Sequence, residues 1–256
     1  MNKQTRPLIL VTNDDGVSSD GLIALYRAMK EIADTVVVAP DRERSATSHS
    51  LTMHRPLKVS EVEEGIYCLN GTPTDCVAIA IQKVLDRPAA LLVSGINMGG
   101  NLGDDITYSG TVSAAIEGTI MGVTSFAISM VGNVGYKFDI AAAFAKKLAM
   151  IILEKGLPKD TLLNVNVPNL QESSIKGVKF TKQGKRLYSD SIHETFDPWG
   201  RKHYWIGGGT PSWEDDVNTD YLAVESGYIS ISPIHLDLTN YEALDCLRRQ
   251  WKEVFD

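Results

Sequence analysis

Apolar and polar positions along this chain switch between two periods, and each switch marks an element. Leu8-Ile9-Leu10-Val11 is an unbroken apolar run of strand length, the pattern of a parallel strand covered on both faces. Leu22, Leu25, Tyr26, Met29 and Ile32 then recur at helical spacing, and residues 35–39 return to a β-branched run. Thr72-Pro73 supplies an N-cap and a first-turn proline to a helix striped by Val77, Ala80, Ile81, Val84 and Leu85. Beyond it the pattern predicts strands over 91–93, 125–128 and 162–167. Between them it predicts a helix over 112–121 and a long helix through Phe144, Leu148 and Ile152. Strands alternating with helices at these lengths imply an α/β fold with a doubly wound, mostly parallel, Rossmann-like sheet. Ligands of such sheets bind beyond the carboxyl ends of the strands.

From about residue 182 to 221 the periodicity is lost among Gly, Pro, Trp and charge, after which 224–232 reads as a strand and 241–255 as a helix. A chain of 256 residues with 43% hydrophobic content sits near the size at which one core stops growing. One domain is therefore expected over 1–256. Its core, 1–181, carries the site; 182–239 is a projecting oligomerisation segment or an irregular lid; 240–256 is a terminal helix.

The net charge of -7 argues against a grip on a nucleic-acid polymer, which needs clustered Lys and Arg. Single nucleotides remain open, because a cation can supply positive charge locally. Cys68, Cys76 and Cys246 show no CxxC spacing and read as buried small hydrophobes of a reducing compartment. The start of the chain lacks a signal-peptide pattern and no apolar run is long enough to span a bilayer, so the expectation is a cytoplasmic protein without a membrane partner.

The first strand ends in Thr12-Asn13-Asp14-Asp15-Gly16, two adjacent carboxylates at a strand tip. A pyrophosphate loop needs glycines there, and a carboxylate pair would repel the ligand. Unit charges about 4 Å apart repel by roughly 4 kcal/mol at an effective dielectric near 20. A divalent cation removes that repulsion; the competing reading is an Asx-type turn or helix cap at Asp14 and Asp15. A dense polar loop over 41–50 follows the second strand, and Ser94-Gly95-Ile96-Asn97-Met98-Gly99-Gly100-Asn101 follows the strand at 91–93. Two carboxylates, a hydroxyl and an amide oxygen make a hard site that prefers Mg²⁺ or Mn²⁺. Ser109-Gly110-Thr111 at a helix start offers N–H groups to a phosphate, or serves as a plain N-cap. With Asn101, these three are the candidates for holding the phosphate. His49, alone in its loop, reads as a surface or structural residue.

Five strings occur here in the order and spacing of one family: 11–16 (VTNDDG), 39–46 (APDRERSA), 71–77 (GTPTDCV), 94–99 (SGINMG) and 109–112 (SGTV). In them the chain resembles the SurE family of survival-protein nucleotidases. The resemblance implies one divalent cation per subunit held by Asp14, Asp15, Ser45 and Asn97; in a hydrolysis at such a site Asp14 or Asp15 is also expected to take the proton of the attacking water. It implies hydrolysis of nucleoside 5′- and 3′-monophosphates, with short polyphosphate as a side activity, and dimers or tetramers formed through the C-terminal arm. Two other readings of the acid pair are an aspartyl-phosphate-forming phosphatase, which favours Asp-x-Asp, and a non-catalytic receiver-like Mg²⁺-binding switch.

Overall fold

The computed structural model describes residues 6–187, 192–206, 212–214 and 216–251. The chain opens with β1 (Leu8–Thr12), α1 (Asp20–Lys30) and β2 (Asp34–Pro40), followed by the hairpin β3 (Val59–Glu63) and β4 (Ile66–Leu69). Helix α2 (Pro73–Ile79) continues into a π-turn, Ala80–Val84, before β5 (Leu91–Met98). A 3-10 turn, Gly103–Thr107, leads into α3 (Gly110–Ile120), and β6 (Ser125–Val131), α4 (Phe138–Lys155) and β7 (Thr161–Pro168) complete the core. Then come β8 (Val178–Phe180), β9 (Arg186–Leu187), β10 (Ile192–Phe196), β11 (Lys202–Ile206) and β12 (Ser212–Trp213). The chain closes with α5 (Asp220–Glu225), β13 (Ile229–His235) and α6 (Tyr241–Gln250).

The main sheet has nine strands in the order β3-β4-β2-β1-β5-β6-β7-β13-β8. Its inner strands β4, β2, β1, β5, β6 and β7 run parallel, while β3 and β13 are antiparallel to their neighbours β4 and β7. The chain winds from β1 outward to β2 and β4, then returns to place β5 on the other side of β1. The crevice between β1 and β5 is therefore the switch point at which such sheets take ligands. Both faces are covered: α1 and α4 pack Leu22, Leu25, Met29, Ala145 and Leu148 on one, and α2 and α3 pack Cys76, Val77, Val112 and Ala115 on the other. That double cover makes all five residues of β1 buried and explains its unbroken apolar run.

The last strand begins later than its sequence pattern predicts. Residues 224–232 read as a strand, but Val224 lies in α5, which the Thr219 hydroxyl caps by accepting from the N–H of Leu222 at 3.3 Å. Gly227, with φ at 84°, ends that helix, and β13 starts at Ile229. The hairpin β3-β4 and the ribbon β10-β11 carried no periodic signal; both strands of the ribbon are exposed throughout. The cysteine reading needs correction too. Only Cys76 is fully buried, whereas Cys68, beside the sheet edge, and Cys246, on the unburied helix α6, are half-buried. Among the described residues no helix is long and apolar enough to cross a membrane.

Candidate active site

Because β1 is buried to its end, the chain must turn outward there, and Asn13 makes the turn. Its Nδ2 donates to the Gly16 carbonyl at 3.0 Å and to Ser19 Oγ at 2.7 Å, while the Gly16 N–H donates to Asn13 Oδ1 at 3.2 Å. Gly16 has φ at 99°, and a Cβ there would stand 3.0 Å from the Arg42 carbonyl carbon. The Asx-type role thus belongs to Asn13, which leaves the next two carboxylates for the crevice.

Asp14 is buried, and its Oδ1 accepts a hydrogen bond from the Thr111 hydroxyl. Burial pushes its carboxyl up to about 6; the Thr111 bond opposes the rise and the charge of Asp15 adds to it. Asp15 is also raised, first by burial and then by Glu43, against the bond its Oδ2 accepts from the Met98 N–H at 3.2 Å. A nearby cation reverses both shifts, because it favours the ionised form of each acid.

The loop after β2 is drawn onto this pair by the Arg44 N–H, which donates to the Asp14 carbonyl at 2.7 Å. Ser45 in that loop donates its hydroxyl to Glu43 Oε1 at 2.6 Å. From the end of β5, Asn97 engages its Nδ2 with the Gly99 carbonyl at 2.9 Å, so its Oδ1 is the end available to a ligand. Asp14, Asp15, Ser45 and Asn97 line one cavity of about 540 Å³. Among the described residues no three His, Cys, Asp or Glu side chains are placed to hold a metal ion by themselves. The donors brought together are carboxylate, hydroxyl and amide oxygens, which fit a hard divalent cation.

Ser109 and Asn101 line the same cavity. Ser109 caps α3 by accepting from the Val112 N–H at 3.1 Å, and the Thr111 N–H is directed, with its hydroxyl, at the Asp14 carboxylate. The Gly110 N–H, at the positive end of the helix, suits a phosphate oxygen. Both donors of Thr111 are thus engaged by Asp14, so Thr111 orients the acid pair and leaves Ser109 and Gly110 as the phosphate candidates at this helix start. Gly110 is where α3 meets the acid pair, since a Cβ there would lie 2.8 Å from Asp14 Cβ. Asn101 is clamped: its N–H donates to Asn166 Oδ1 at 2.9 Å and its Nδ2 to Ser129 Oγ at 2.7 Å. Its carbonyl accepts from Asn164 Nδ2 at 2.8 Å and Asn166 Nδ2 at 2.9 Å.

The family model described as survival protein SurE matches residues 9–190, well over half of the chain and every residue of this cavity. The chain belongs to the SurE family. It is 53% identical over 241 residues to the 5'-nucleotidase SurE of Geobacter sulfurreducens, covering 94% of this chain and 92% of that one. It is 48% identical over 239 residues to the 5'-nucleotidase SurE of Moorella thermoacetica, covering 91% and 92%. The crystal structure of the SurE protein from Aquifex aeolicus superposes with a TM-score of 0.85 at 43% identity, covering 95% of this chain and 99% of that one.

Several residues that shape this SurE-family site escaped the sequence reading. Asn164 and Asn166 had a legible signal, two amides at alternate positions of an otherwise apolar strand. Asp220 had none. Its fully buried carboxylate accepts from the N–H groups of Gly103, Gly184 and Tyr221, each at 2.8 Å, and burial pushes its carboxyl up. It ties the loop after β5 to the segment that begins near residue 182. Glu43, Asp20 and Asp105 add carboxylates to the cavity wall, and Asp105 pairs with Arg186. His49 stands 2.8 Å from Glu117 Oε2 and pins the loop after β2 to α3.

Proposed function

We infer that this chain is a divalent-metal-dependent phosphomonoesterase, a 5'-nucleotidase that converts nucleoside 5′-monophosphates, and 3′-monophosphates, to nucleoside and phosphate. The observation that carries the reading is the meeting, at the switch point between β1 and β5, of the acid pair with the start of α3, where Thr111 bonds Asp14 and Gly110 packs against it. The relatives named 5'-nucleotidase SurE, about half identical over most of the chain, support it.

Asp14, Asp15, Ser45 and Asn97 would hold one Mg²⁺ or Mn²⁺ per subunit, which supplies positive charge to the phosphoryl oxygens as the transition state forms. The Gly110 N–H orients the phosphate, with Ser109 and Asn101 forming the wall beside it, while Thr111 holds Asp14 in place. One aspartate takes the proton of the attacking water; Asp15, less buried than Asp14, is the better placed. Among the described residues no Lys or Arg lines the cavity, while Asp20, Glu43 and Asp105 do. A second or third phosphate would face these acids, so monophosphates rank first and short polyphosphate is a slow side activity.

Helix α6 has no buried residue, although Tyr241 and Leu247 lie on its surface, and the β10-β11 ribbon exposes Ile192, Phe196, Trp205 and Ile206. These uncovered apolar groups support a homodimer or homotetramer built through the C-terminal arm. Three unpaired cysteines support residence in the reducing cytoplasm.

The test is phosphate release from AMP, 3′-AMP and pyrophosphate by chelator-treated protein resupplied with Mg²⁺, Mn²⁺ or Co²⁺. Many turnovers per protein, dependent on added cation and fastest with AMP, are expected. Absence of turnover with every cation would remove the reading.

A further inference from the structure

The cavity holds two side chains that neither cation nor phosphate uses. Among the residues lining it, Tyr108 and Met98 are the only large apolar groups, and each is more than half exposed, at 59% and 55%. Their neighbours in sequence are the residues that matter most, since Met98 follows Asn97 and Tyr108 precedes Ser109. Their backbones are fixed. The Met98 N–H donates to Asp15, the Tyr108 N–H donates to the Asp105 carbonyl at 3.0 Å, and the Tyr108 carbonyl accepts from the Ser48 N–H at 3.2 Å. The Tyr108 ring, by contrast, makes no hydrogen bond or ring contact among the described residues. A pre-positioned aromatic ring, open to solvent on the wall of an otherwise acidic cavity, offers a flat apolar surface beside the phosphate position.

We propose that Tyr108 is the nucleobase platform, stacking the base of a bound nucleoside monophosphate, with Met98 adding polarisable apolar contact. The proposal rests on the nucleotidase reading and extends it to substrate choice. Stacking senses the area of the π face rather than the pattern of donors and acceptors on its edge, because every base has such a face. The acids on the wall add no side chain fitted to one particular base. The site therefore accepts all common bases and favours purines, whose larger rings cover more of the tyrosine.

The experiment compares kcat/KM for AMP, CMP and ribose 5-phosphate in the wild type and in Tyr108→Ala, Tyr108→Leu and Tyr108→Phe. Ribose 5-phosphate offers the same ester without a base. The ratio of AMP to ribose 5-phosphate is expected to fall about tenfold in Tyr108→Ala, the scale of one lost base stack, and to be retained in Tyr108→Phe. Tyr108→Leu keeps apolar bulk without a π face and is expected to lose most of the ratio, with the loss in KM rather than kcat. A ratio unchanged in Tyr108→Ala and Tyr108→Leu overturns the platform while leaving the nucleotidase reading intact. Failure of the wild type to turn over any nucleotide removes both together.

Discussion

The hydroxyl of Thr111 donates to Oδ1 of Asp14, joining the first turn of α3 to the tip of β1. Both side chains are buried, and the bond acts with backbone N–H groups of Asp14 and Thr111 to orient the carboxylate. It also favours the ionised form of Asp14, against the burial that disfavours it.

Replacing Thr111 with Val keeps the shape and removes the donor. A hydrogen bond to a charged group is worth about 1.5–3 kcal/mol, so Mn²⁺ affinity is expected to drop by about tenfold or more. Without that donor the Asp14 carboxyl rises above its present value of about 6, and the acid limb of activity moves to higher pH. Thr111→Ser retains the hydroxyl and is expected to bind Mn²⁺ within a few-fold of wild type by calorimetry.

The same acid sets a pH dependence of the metal-free fold. Its folded value of about 6 lies above the ordinary carboxylate value of 3.8, so the folded state holds the proton more tightly. Its contribution to stability is therefore greatest below about 4, shrinks as pH rises between 4 and 6, and is absent above 6. The two values differ by about two units, on the order of 3 kcal/mol. Asp14→Asn is expected to stabilise the metal-free protein at pH 7, to flatten its pH profile between 4 and 6, and to abolish Mn²⁺ binding and turnover. Urea unfolding across that range checks the sign; a variant less stable than wild type at pH 7 would contradict it.

Gly110 tests the fit between helix and acid pair. An alanine Cβ there would lie 2.8 Å from Asp14 Cβ, 3.0 Å from Asp14 Oδ2 and 3.2 Å from Pro73 Cγ. Alanine is the better helix former, yet it must displace Asp14. Gly110→Ala is expected to cut kcat/KM for AMP by about tenfold or more through weakened metal binding, with partial recovery at high Mn²⁺. Activity at wild-type level under limiting Mn²⁺ would show that Asp14 can move without consequence.

Asp220 acts at a distance from the acid pair. Asp220→Ala leaves three backbone N–H groups without their acceptor, a loss of about 1–3 kcal/mol for each group that stays buried. A fall in Tm of several degrees is expected, together with faster hydrogen exchange at Gly103 and Gly184. Preserved protection at both amides would rule out the clamp.

What the sequence made legible, and what it hid, follows from where each partner lies. Strands β1, β2, β5, β6 and β7 are covered by helices on both faces, so each carries a mostly apolar run that could be read directly. The boundary near Val224 failed because an apolar residue in a short helix looks like the start of the strand that follows it. The ribbon β10-β11 failed because neither of its faces is buried, which leaves no alternation to read. Asp14 and Asp15 stood out through their mutual repulsion, a property of neighbours in sequence. Thr111 was legible as a helix start, but its bond to Asp14 spans most of the core and had no local trace; the same is true of Asp220 and Gly103. Asn13 was hidden by its more conspicuous neighbours, though it makes the turn that was the competing reading for them.

Whether Asp14, Asp15, Ser45 and Asn97 jointly hold a divalent cation is read out by an anomalous-difference map from a crystal soaked in Mn²⁺. One strong peak is expected within about 2.0–2.6 Å of a carboxylate oxygen of each aspartate, of Ser45 Oγ and of Asn97 Oδ1. A map with no peak among those four side chains, from crystals of protein that turns over AMP with Mn²⁺, would contradict that assignment.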